Sequence, residues 1–286
     1  MIIECVPNIS HGRNIYAMQV IHSTLNNVKG IKLLDWHWDF DHGRSVLTFI
    51  GTVEGIKSAL LYLIEEGIRL FNIDDHEGVH PYLGIIDVVP FIPVLNTKME
   101  DCIELARLFG GEVAKNFDIP VYLYGFSATK PDRFKLSNIR SYGFHLIKEK
   151  IKENPPDFGP LTIHPTAGVI VMGARNFLVA YNINIKTDDI KIGIEIAKKI
   201  REKDGGIKGL QALAFFIKNK NYVQISMNIT NPMELTIEEV KSRVEEEVKK
   251  HEINIIGDEL VGLTPGTVIN EAKKFEEEMI NENKIT

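Results

Sequence analysis

The order of secondary-structure elements constrains this fold more than any other feature of the sequence. Residues 177–185, FLVAYNINI, alternate and are rich in β-branched side chains, which predicts a strand. An amphipathic helix with an N-cap at Thr187 or Asp188, a hairpin with the polar turn NKN, a second amphipathic helix and a short strand at 253–257 follow. This βαββαβ order predicts a ferredoxin-like unit.

The first ninety residues repeat the same order with little similarity in sequence. The pattern predicts helices at 14–27 and 52–71, and strands at 2–9, 30–38, 44–51 and 84–94. Residues 94–176 are extra and predict a helix, a strand, a long polar stretch and a loop rich in glycine and proline. The expected fold class is α/β (α+β), with subdomains at residues 1–177 and 178–286 and a substrate groove between them.

Composition excludes several classes of function. The chain has 286 residues and a net charge of −6, so it offers no basic field for a nucleic acid backbone. Cys5 and Cys102 are too few for a disulfide framework, and we expect both to be buried apolar residues. No apolar run is long enough to span a bilayer, and the start MIIECVPNIS lacks the pattern of a signal peptide. These features predict a cytoplasmic protein.

Four polar clusters lie at the ends of predicted strands, where loops commonly carry functional residues. They are residues 5–14, the hairpin tip at 35–45, the stretch from His76 to His80, and 164–168 followed by Arg175. None of them contains the sequence motif of a nucleophilic serine elbow or of a phosphate-binding loop. The chemistry that these clusters favour is metal binding or acid–base catalysis by histidine.

His76 and His80 are spaced as in a helical pair of metal ligands, but Gly78 and Pro81 disfavour a helix there. A neutral imidazole, with an ordinary pKa of about 6.5, is also a natural proton acceptor. Pro81 favours an extended backbone at His80, which makes His80 the better candidate for a base. The residues alone leave a general base, a metal ligand and an ordinary loop histidine all open.

Six ordered blocks of the sequence resemble the formiminotransferase domain, which stands alone in many microbes and is fused to a cyclodeaminase domain in animals. They extend from Glu4 to about Pro265 and are ECVPNISHGRN, DFDHGRSVLTFIG, HPYLGIIDVVPFIPV, PVYLYG, PDFGPLTIHPTAGVIVMGARNFLVAYNINI and IIGDELVGLTP. The resemblance implies two α/β subdomains with the substrate in a groove between them. It also implies a homodimer.

The same resemblance implies a folate-dependent transferase. In this family a formimino group moves from N-formimino-L-glutamate to N5 of tetrahydrofolate and L-glutamate is released, as a step in histidine degradation. Tetrahydrofolate is thus the expected co-substrate, and no metal is expected. A separate cyclodeaminase would have to remove ammonia from the product.

The resemblance also assigns site residues. The general base of the family is the histidine of its HP motif, which corresponds to His80. Both substrates carry carboxylates, so we expect Arg44 and Arg175 to bind anions, and Asp41 to orient an imidazole or a pterin nitrogen. The folate-binding segment of the family corresponds to Gly159, Pro160, Leu161, Thr162, Ile163, His164, Pro165, Thr166, Ala167 and Gly168.

Tyr82 departs from the family, which usually has an arginine after HP, and this difference leaves the donor open. The runner-up function is therefore a formyltransferase that uses N-formylglutamate or 5-formyltetrahydrofolate. A non-catalytic folate-binding protein is the second rival function, and a metal-dependent hydrolase is the third. The expected partners are small-molecule substrates and a second copy of the chain, with no nucleic acid and no membrane.

Overall fold

The chain forms two compact units. The computed structural model describes residues 1–285. Unit 1 comprises Met1–Arg175 together with the chain from Gly266 onwards, and unit 2 comprises Asn176–Pro265. Each unit combines helices with a β-sheet, which confirms the mixed α/β class.

The elements of unit 1 are, in chain order, β1 (Ile2–Cys5), β2 (Asn8–Ile9), α1 (Ile15–Leu25), β3 (Ile31–Asp39), β4 (Arg44–Gly51), α2 (Val53–Leu70), β5 (Ile86–Leu95), α3 (Met99–Phe117), β6 (Val121–Gly125), α4 (Leu136–Arg140), α5 (Gly143–Lys150) and β7 (Ile170–Ala174). Those of unit 2 are β8 (Val179–Ile185), α6 (Ile190–Ile200), β9 (Leu210–Ile217), β10 (Tyr222–Ile229), α7 (Ile237–Lys249) and β11 (Ile255–Val261). The last helix, α8 (Pro265–Ile285), belongs with unit 1 from Gly266 onwards.

The first predicted strand is interrupted at Val6 and Pro7. Both of its parts, β1 and β2, lie between β4 and β5, and Pro7 has no backbone N–H to donate to either neighbour. The four strand positions β3-β4-β1/β2-β5 are antiparallel and contain the βαββαβ succession that the sequence predicts. This part of the sheet positions most of the candidate site.

The prediction for residues 94–176 is wrong in two places. The segment 170–174, expected to be loop, forms β7 and pairs in parallel with both β5 and β6. The polar stretch after β6 contains the short helices α4 and α5. A five-residue apolar run between glycine-rich stretches indicates a strand only weakly, because so short a run lacks a measurable period. Residues 94–176 therefore extend the sheet of unit 1.

Helices α1, α2 and α3 cover one face of this sheet, and their apolar side chains form the main core with strand residues such as Phe49 and Phe91. Alternate residues of the same strands point to the opposite face, here called the second face. Helices α4 and α5 cover one end of the second face, where Ile139 and Ile147 pack with Tyr122. The remainder of the second face carries the polar residues of the candidate site.

Unit 2 has an antiparallel sheet in the order β11-β8-β10-β9. The predicted hairpin is present as β9 and β10, and Asn221 in its turn adopts a positive φ of 51°. The two predicted helices are present as α6 and α7. The closing strand, expected at 253–257, instead covers Ile255–Val261.

Helix α8 contacts the first part of the chain through polar pairs. Asn96 donates a hydrogen bond to Glu276 at 2.9 Å, and the ammonium of Lys32 lies 3.2 Å from the carboxylate of Glu271. The predicted subdomain boundary at residue 177 would place α8 in the second subdomain, whereas the contacts of α8 group it with unit 1. Within the described residues, no helix has both the length and the apolar character needed to cross a bilayer.

Helix α7 offers a test of local stability at Thr236. Its hydroxyl accepts a hydrogen bond from the Glu239 N–H at 3.2 Å, and the Glu239 carboxylate accepts one from the Thr236 N–H at 2.8 Å. Thr236→Ala should lower the free energy of unfolding by about 1 kcal/mol, because one backbone donor loses its partner. Thr236→Ser should lose much less. Urea denaturation followed by circular dichroism measures both, and equal losses would contradict the capping role.

Candidate active site

The loop that carries His80 is held against the β3–β4 hairpin by its backbone. The N–H groups of Val79 and His80 donate to the carbonyl oxygens of Asp41 and His42 at 3.2 and 3.3 Å. Gly78 makes this approach feasible, since a Cβ there would lie 2.1 Å from the His42 carbonyl oxygen. The predicted site residue Asp41 is thus brought to the His80 loop through its backbone, whereas an orienting role for its carboxylate stays a prediction.

His80 and Arg44 are in direct contact. The guanidinium of Arg44 lies 2.7 Å from Nε2 of His80. Arginine can only donate, so Nε2 must accept and the ring proton of neutral His80 is on Nδ1. Burial lowers the pKa of His80 well below its ordinary value, and the positive charges of Arg44 and Arg140 lower it further. His80 is therefore a neutral imidazole at neutral pH, as a general base requires.

A second histidine, His42, is fixed by Asp39. The two carboxylate oxygens of Asp39 accept from the backbone N–H and from Nδ1 of His42, at 2.9 and 2.6 Å. Burial by itself would raise the pKa of Asp39, but the hydrogen bonds from His42 and the charge of Arg44 outweigh it and hold the pKa well below its usual range. The ring centroids of His42 and His80 are 6.4 Å apart. The carboxylate that orients an imidazole here thus acts on His42.

His76 and Tyr82 belong to a cluster of aromatic rings. Nδ1 of His76 donates to the Ser10 carbonyl oxygen at 2.9 Å, and the ring lies 3.9 Å from that of Tyr82, centroid to centroid. Tyr82 in turn stacks on Phe144 at 5.6 Å. Among residues 1–281, neither His76 nor His80 belongs to a group of three side chains close enough to share a metal ion. His76 contacts Ser10 and Tyr82, whereas His80 contacts Arg44, so the two histidines have separate surroundings.

A buried ion pair that the sequence did not predict lies next to His80. Arg140, the last residue of α4, donates to Asp87 at 2.6 Å, and Asp87 also accepts from the Leu83 N–H at 2.8 Å. The Asp87 side chain is almost fully buried. Its signal in the sequence was a lone carboxylate within the apolar run of GIIDVVPF, because a charge buried in a strand requires a partner. No comparable signal marks Arg140.

Arg175, expected to bind anions, lies on the second face at the end opposite to Arg44. It hydrogen-bonds Tyr124, and its charge is the main influence that lowers the otherwise raised pKa of Glu4. Burial raises the pKa of Glu4 to about 7. Strand pairing places Ser45, the neighbour of Arg44, level with Ile86 of β5. It places Glu4, on which the charge of Arg175 acts, level with Ile92, six residues farther along β5. Six residues of strand correspond to about 20 Å, so Arg44 and Arg175 occupy opposite ends of this face.

The predicted folate-binding segment divides into two parts. Residues 164–168 form a turn in which Nδ1 of His164 accepts from the Ala167 N–H at 3.0 Å. This turn is bound to the chain just after His80, since the Ile85 N–H donates to the Ala167 carbonyl oxygen at 2.9 Å and Val169 donates to Leu83 at 3.2 Å. Residues 159–163 lie nearer the surface, and Leu161 and Thr162 are exposed. Of these two parts, only residues 164–168 lie next to the His80 loop.

The chain that enters this segment is anchored by Arg133, which is 1% exposed. Its guanidinium donates to the carboxylate of Asp157 at 2.7 Å, and to Asn154 and the carbonyl of Pro155 at 2.6 Å each. Asp157 also accepts from the backbone N–H of Leu123 at 2.7 Å. These contacts fix residues 154–157 to β6, so the predicted folate-binding segment begins from a fixed point.

Comparison with known proteins decides the family. The profile of the formiminotransferase domain, N-terminal subdomain, matches residues 2–175, and that of the formiminotransferase domain matches residues 180–285. The chain belongs to the formiminotransferase family. A glutamate formimidoyltransferase of Thermoplasma acidophilum is 41% identical over 96% of this chain and 91% of its own length.

Two further relatives show how the family is built. A glutamate formimidoyltransferase of Streptococcus pyogenes serotype M1 is 34% identical over 96% of this chain and 92% of its own length. The formimidoyltransferase-cyclodeaminase of Mus musculus is also 34% identical, but this chain covers only 52% of it. The formiminotransferase family thus includes relatives of about this length as well as longer proteins with a second named activity.

Removal of the Arg44 side chain tests the electrostatics of the site. Arg44→Met should raise the pKa of His80, because a neighbouring positive charge and the hydrogen bond to neutral Nε2 are both lost. Burial persists in this variant, so the pKa should still lie below about 6.5. An NMR titration of the histidine ring signals measures the shift.

Arg13→Met is the matched control for this titration. Arg13 lowers the pKa of His11 and of His76, and it is not among the charges that act on His80. The control should therefore raise the pKa of His11 and His76 and leave that of His80 unchanged. An unchanged His80 pKa in Arg44→Met would show that the 2.7 Å contact is not formed in solution.

Proposed function

We propose that this protein transfers the formimino group of N-formimino-L-glutamate to N5 of tetrahydrofolate and releases L-glutamate. Family membership and relatives named glutamate formimidoyltransferase support the proposal. The observation that carries it is the contact between Arg44 and a neutral His80. A neutral imidazole can accept a proton and a guanidinium can bind a carboxylate, and the reaction needs both.

His80 acts as the general base in this proposal. N5 of tetrahydrofolate attacks the formimino carbon, a new carbon–nitrogen bond forms, and the proton of N5 passes to Nε2 of His80. The bond between that carbon and the glutamate nitrogen then breaks. The imidazolium returns its proton to the departing nitrogen, so His80 ends the cycle neutral. Acid–base help of this kind is worth on the order of 10² to 10⁴ in rate.

Arg44 has two roles in the same proposal. In the absence of substrate it donates to Nε2 of His80, which occupies the lone pair that the base needs. A substrate carboxylate is a stronger acceptor for a guanidinium than a neutral imidazole is, because its charge strengthens the hydrogen bond. Binding of the substrate therefore draws Arg44 away from Nε2 and makes the nitrogen available for proton transfer.

The remaining predicted residues complete the folate side of the proposal. The turn at residues 164–168, bound to the backbone just after His80, is the part of the folate-binding segment nearest to the base. Arg175 provides a second anion-binding group farther along the same face of the sheet, and Asp41 orients a pterin nitrogen. The protein acts as a homodimer in the cytoplasm, without a metal ion.

Tyr82 leaves the identity of the donor open. Its ring contacts those of His76 and Phe144, and the position that usually holds an arginine in this family carries no positive charge here. A donor that is held differently, such as N-formylglutamate, would use the same base. The comparison of donors below separates the two reactions.

His80→Ala should reduce the rate of formimino transfer by about 10² to 10⁴, because the proton acceptor is lost while the binding groups persist. The assay follows release of L-glutamate from N-formimino-L-glutamate or N-formyl-L-glutamate in the presence of tetrahydrofolate. His251→Ala, in unit 2, is the control histidine and should retain full activity.

The outcomes of this assay separate the four candidate functions. Turnover of the formyl donor alone would favour the formyltransferase. Binding of tetrahydrofolate without turnover of either donor would favour a binding protein. Hydrolysis that a chelator abolishes would favour a metal-dependent hydrolase. Full activity of His80→Ala on the formimino donor would overturn the assignment of the base.

The pH dependence of kcat/KM should follow His80 in the free enzyme. Because the pKa of His80 is lowered well below its ordinary value, kcat/KM should be constant from about pH 8 down to about 6.5. It should fall at lower pH, as His80 takes up a proton and ceases to be a base. In Arg44→Met the fall should begin at higher pH, and a profile that falls already above about pH 7 in the wild type would exclude His80 as the base.

A further inference from the structure

Arg140 has a structural partner but an unused donor. One terminal nitrogen of its guanidinium binds Asp87 at 2.6 Å, and the side chain is only 17% exposed. Its Nε–H is buried and finds no acceptor among the described residues of the chain. A buried donor without a partner costs free energy, so native proteins rarely retain one unless a ligand or water accepts from it.

Arg140 is also close to the base. Asp87, which holds Arg140, accepts from the N–H of Leu83, three residues after His80 in the same loop. The charge of Arg140 lowers the pKa of His80 and also that of Tyr124, so the guanidinium lies within electrostatic reach of both side chains. Arg140, the last residue of α4, is therefore a second guanidinium near His80, besides that of Arg44.

The chemistry of the donor identifies what such a group would bind. The α-carboxylate of N-formimino-L-glutamate is attached to the carbon that carries the reacting nitrogen, whereas the side-chain carboxylate is two methylene groups farther away. A guanidinium next to the base is therefore placed for the α-carboxylate. The Nε–H of a guanidinium can donate a charge-assisted hydrogen bond to a carboxylate oxygen.

We propose that Arg140 binds the α-carboxylate of the amino-acid donor through its buried Nε–H, and thereby positions the reacting nitrogen beside His80. The inference rests on the proposed formimino transfer. In this arrangement Asp87 fixes the guanidinium through its Nη2, and the Nε–H donates to one oxygen of the substrate carboxylate. Arg140 is then a residue that determines specificity for a free α-carboxylate.

The test compares three donors: N-formimino-L-glutamate, its α-amide and its side-chain amide. Arg140→Gln should reduce kcat/KM on the order of 100-fold for the parent donor and for the side-chain amide, because a charged partner of the carboxylate is lost. The loss for the α-amide should be about threefold or less, since that donor lacks the carboxylate already. Arg140→Lys should recover part of the loss.

Asp87→Asn distinguishes binding from a structural role. This variant breaks the same ion pair but retains the guanidinium, so the preference for the parent donor over the α-amide should persist. Arg69→Gln, which removes an exposed arginine of α2, should behave as the wild type. Equal losses for Arg140→Gln and Asp87→Asn on all three donors would show that Arg140 only holds α4, and would overturn the proposal. If Arg140→Gln reduced kcat/KM for the parent donor but not for the side-chain amide, Arg140 would bind the side-chain carboxylate, and the assignment to the α-carboxylate would be overturned.

Binding of L-glutamate, measured by calorimetry, separates this proposal from the proposed function. L-Glutamate should bind the wild type and Asp87→Asn and bind Arg140→Gln much more weakly, while L-isoglutamine, its α-amide, should bind all three weakly. This pattern without formimino transfer would uphold the role of Arg140 and reject the transferase. Equal affinity of L-glutamate and L-isoglutamine for the wild type would reject the role of Arg140 even if transfer occurs.

Discussion

Close packing of backbone against backbone at His80 is the constraint on which the candidate site depends. A Cβ on Gly43 would lie 2.1 Å from the Glu77 carbonyl oxygen, and one on Gly84 would lie 2.0 Å from that of Val169. Side chains at these two glycines would separate the β3–β4 hairpin, the His80 loop and the chain at Val169, just before β7. The hydrogen bonds that align His80 with Arg44 and with the 164–168 turn form because the three segments touch directly.

The electrostatics of the site follow from that packing. Burial disfavours a charged imidazole at His80, and two guanidinium groups disfavour it further, whereas the carboxylate of Asp39 is engaged by His42 and that of Asp87 by Arg140. The result is a neutral histidine in positively charged surroundings. Such surroundings attract carboxylates and leave the proton acceptor unprotonated, two properties that a carboxylate in direct contact with the His80 ring would weaken.

Much of the fold was accessible from the sequence, because its helices and antiparallel strands carry clear periods and caps, such as that of Thr236. Strand β7 was not, since its five residues are apolar without alternation and its parallel partners are distant in sequence. In the site, the prediction that His80 is the base came from family motifs. Its contact with Arg44 and the pair of Arg140 with Asp87 could not be predicted, because side chains 36 and 53 residues apart meet only through the sheet.

The return of α8 to unit 1 has a consequence for how the chain matures. Unit 2 is continuous in sequence, so all of its residues have been synthesised once the ribosome passes Pro265. Unit 1 is discontinuous, and Lys32 and Asn96 can pair with Glu271 and Glu276 only after the whole of unit 2 has been synthesised. Unit 1 is thus the later of the two units to acquire all of its contacts, and a nascent chain keeps the surface that α8 contacts uncovered until then.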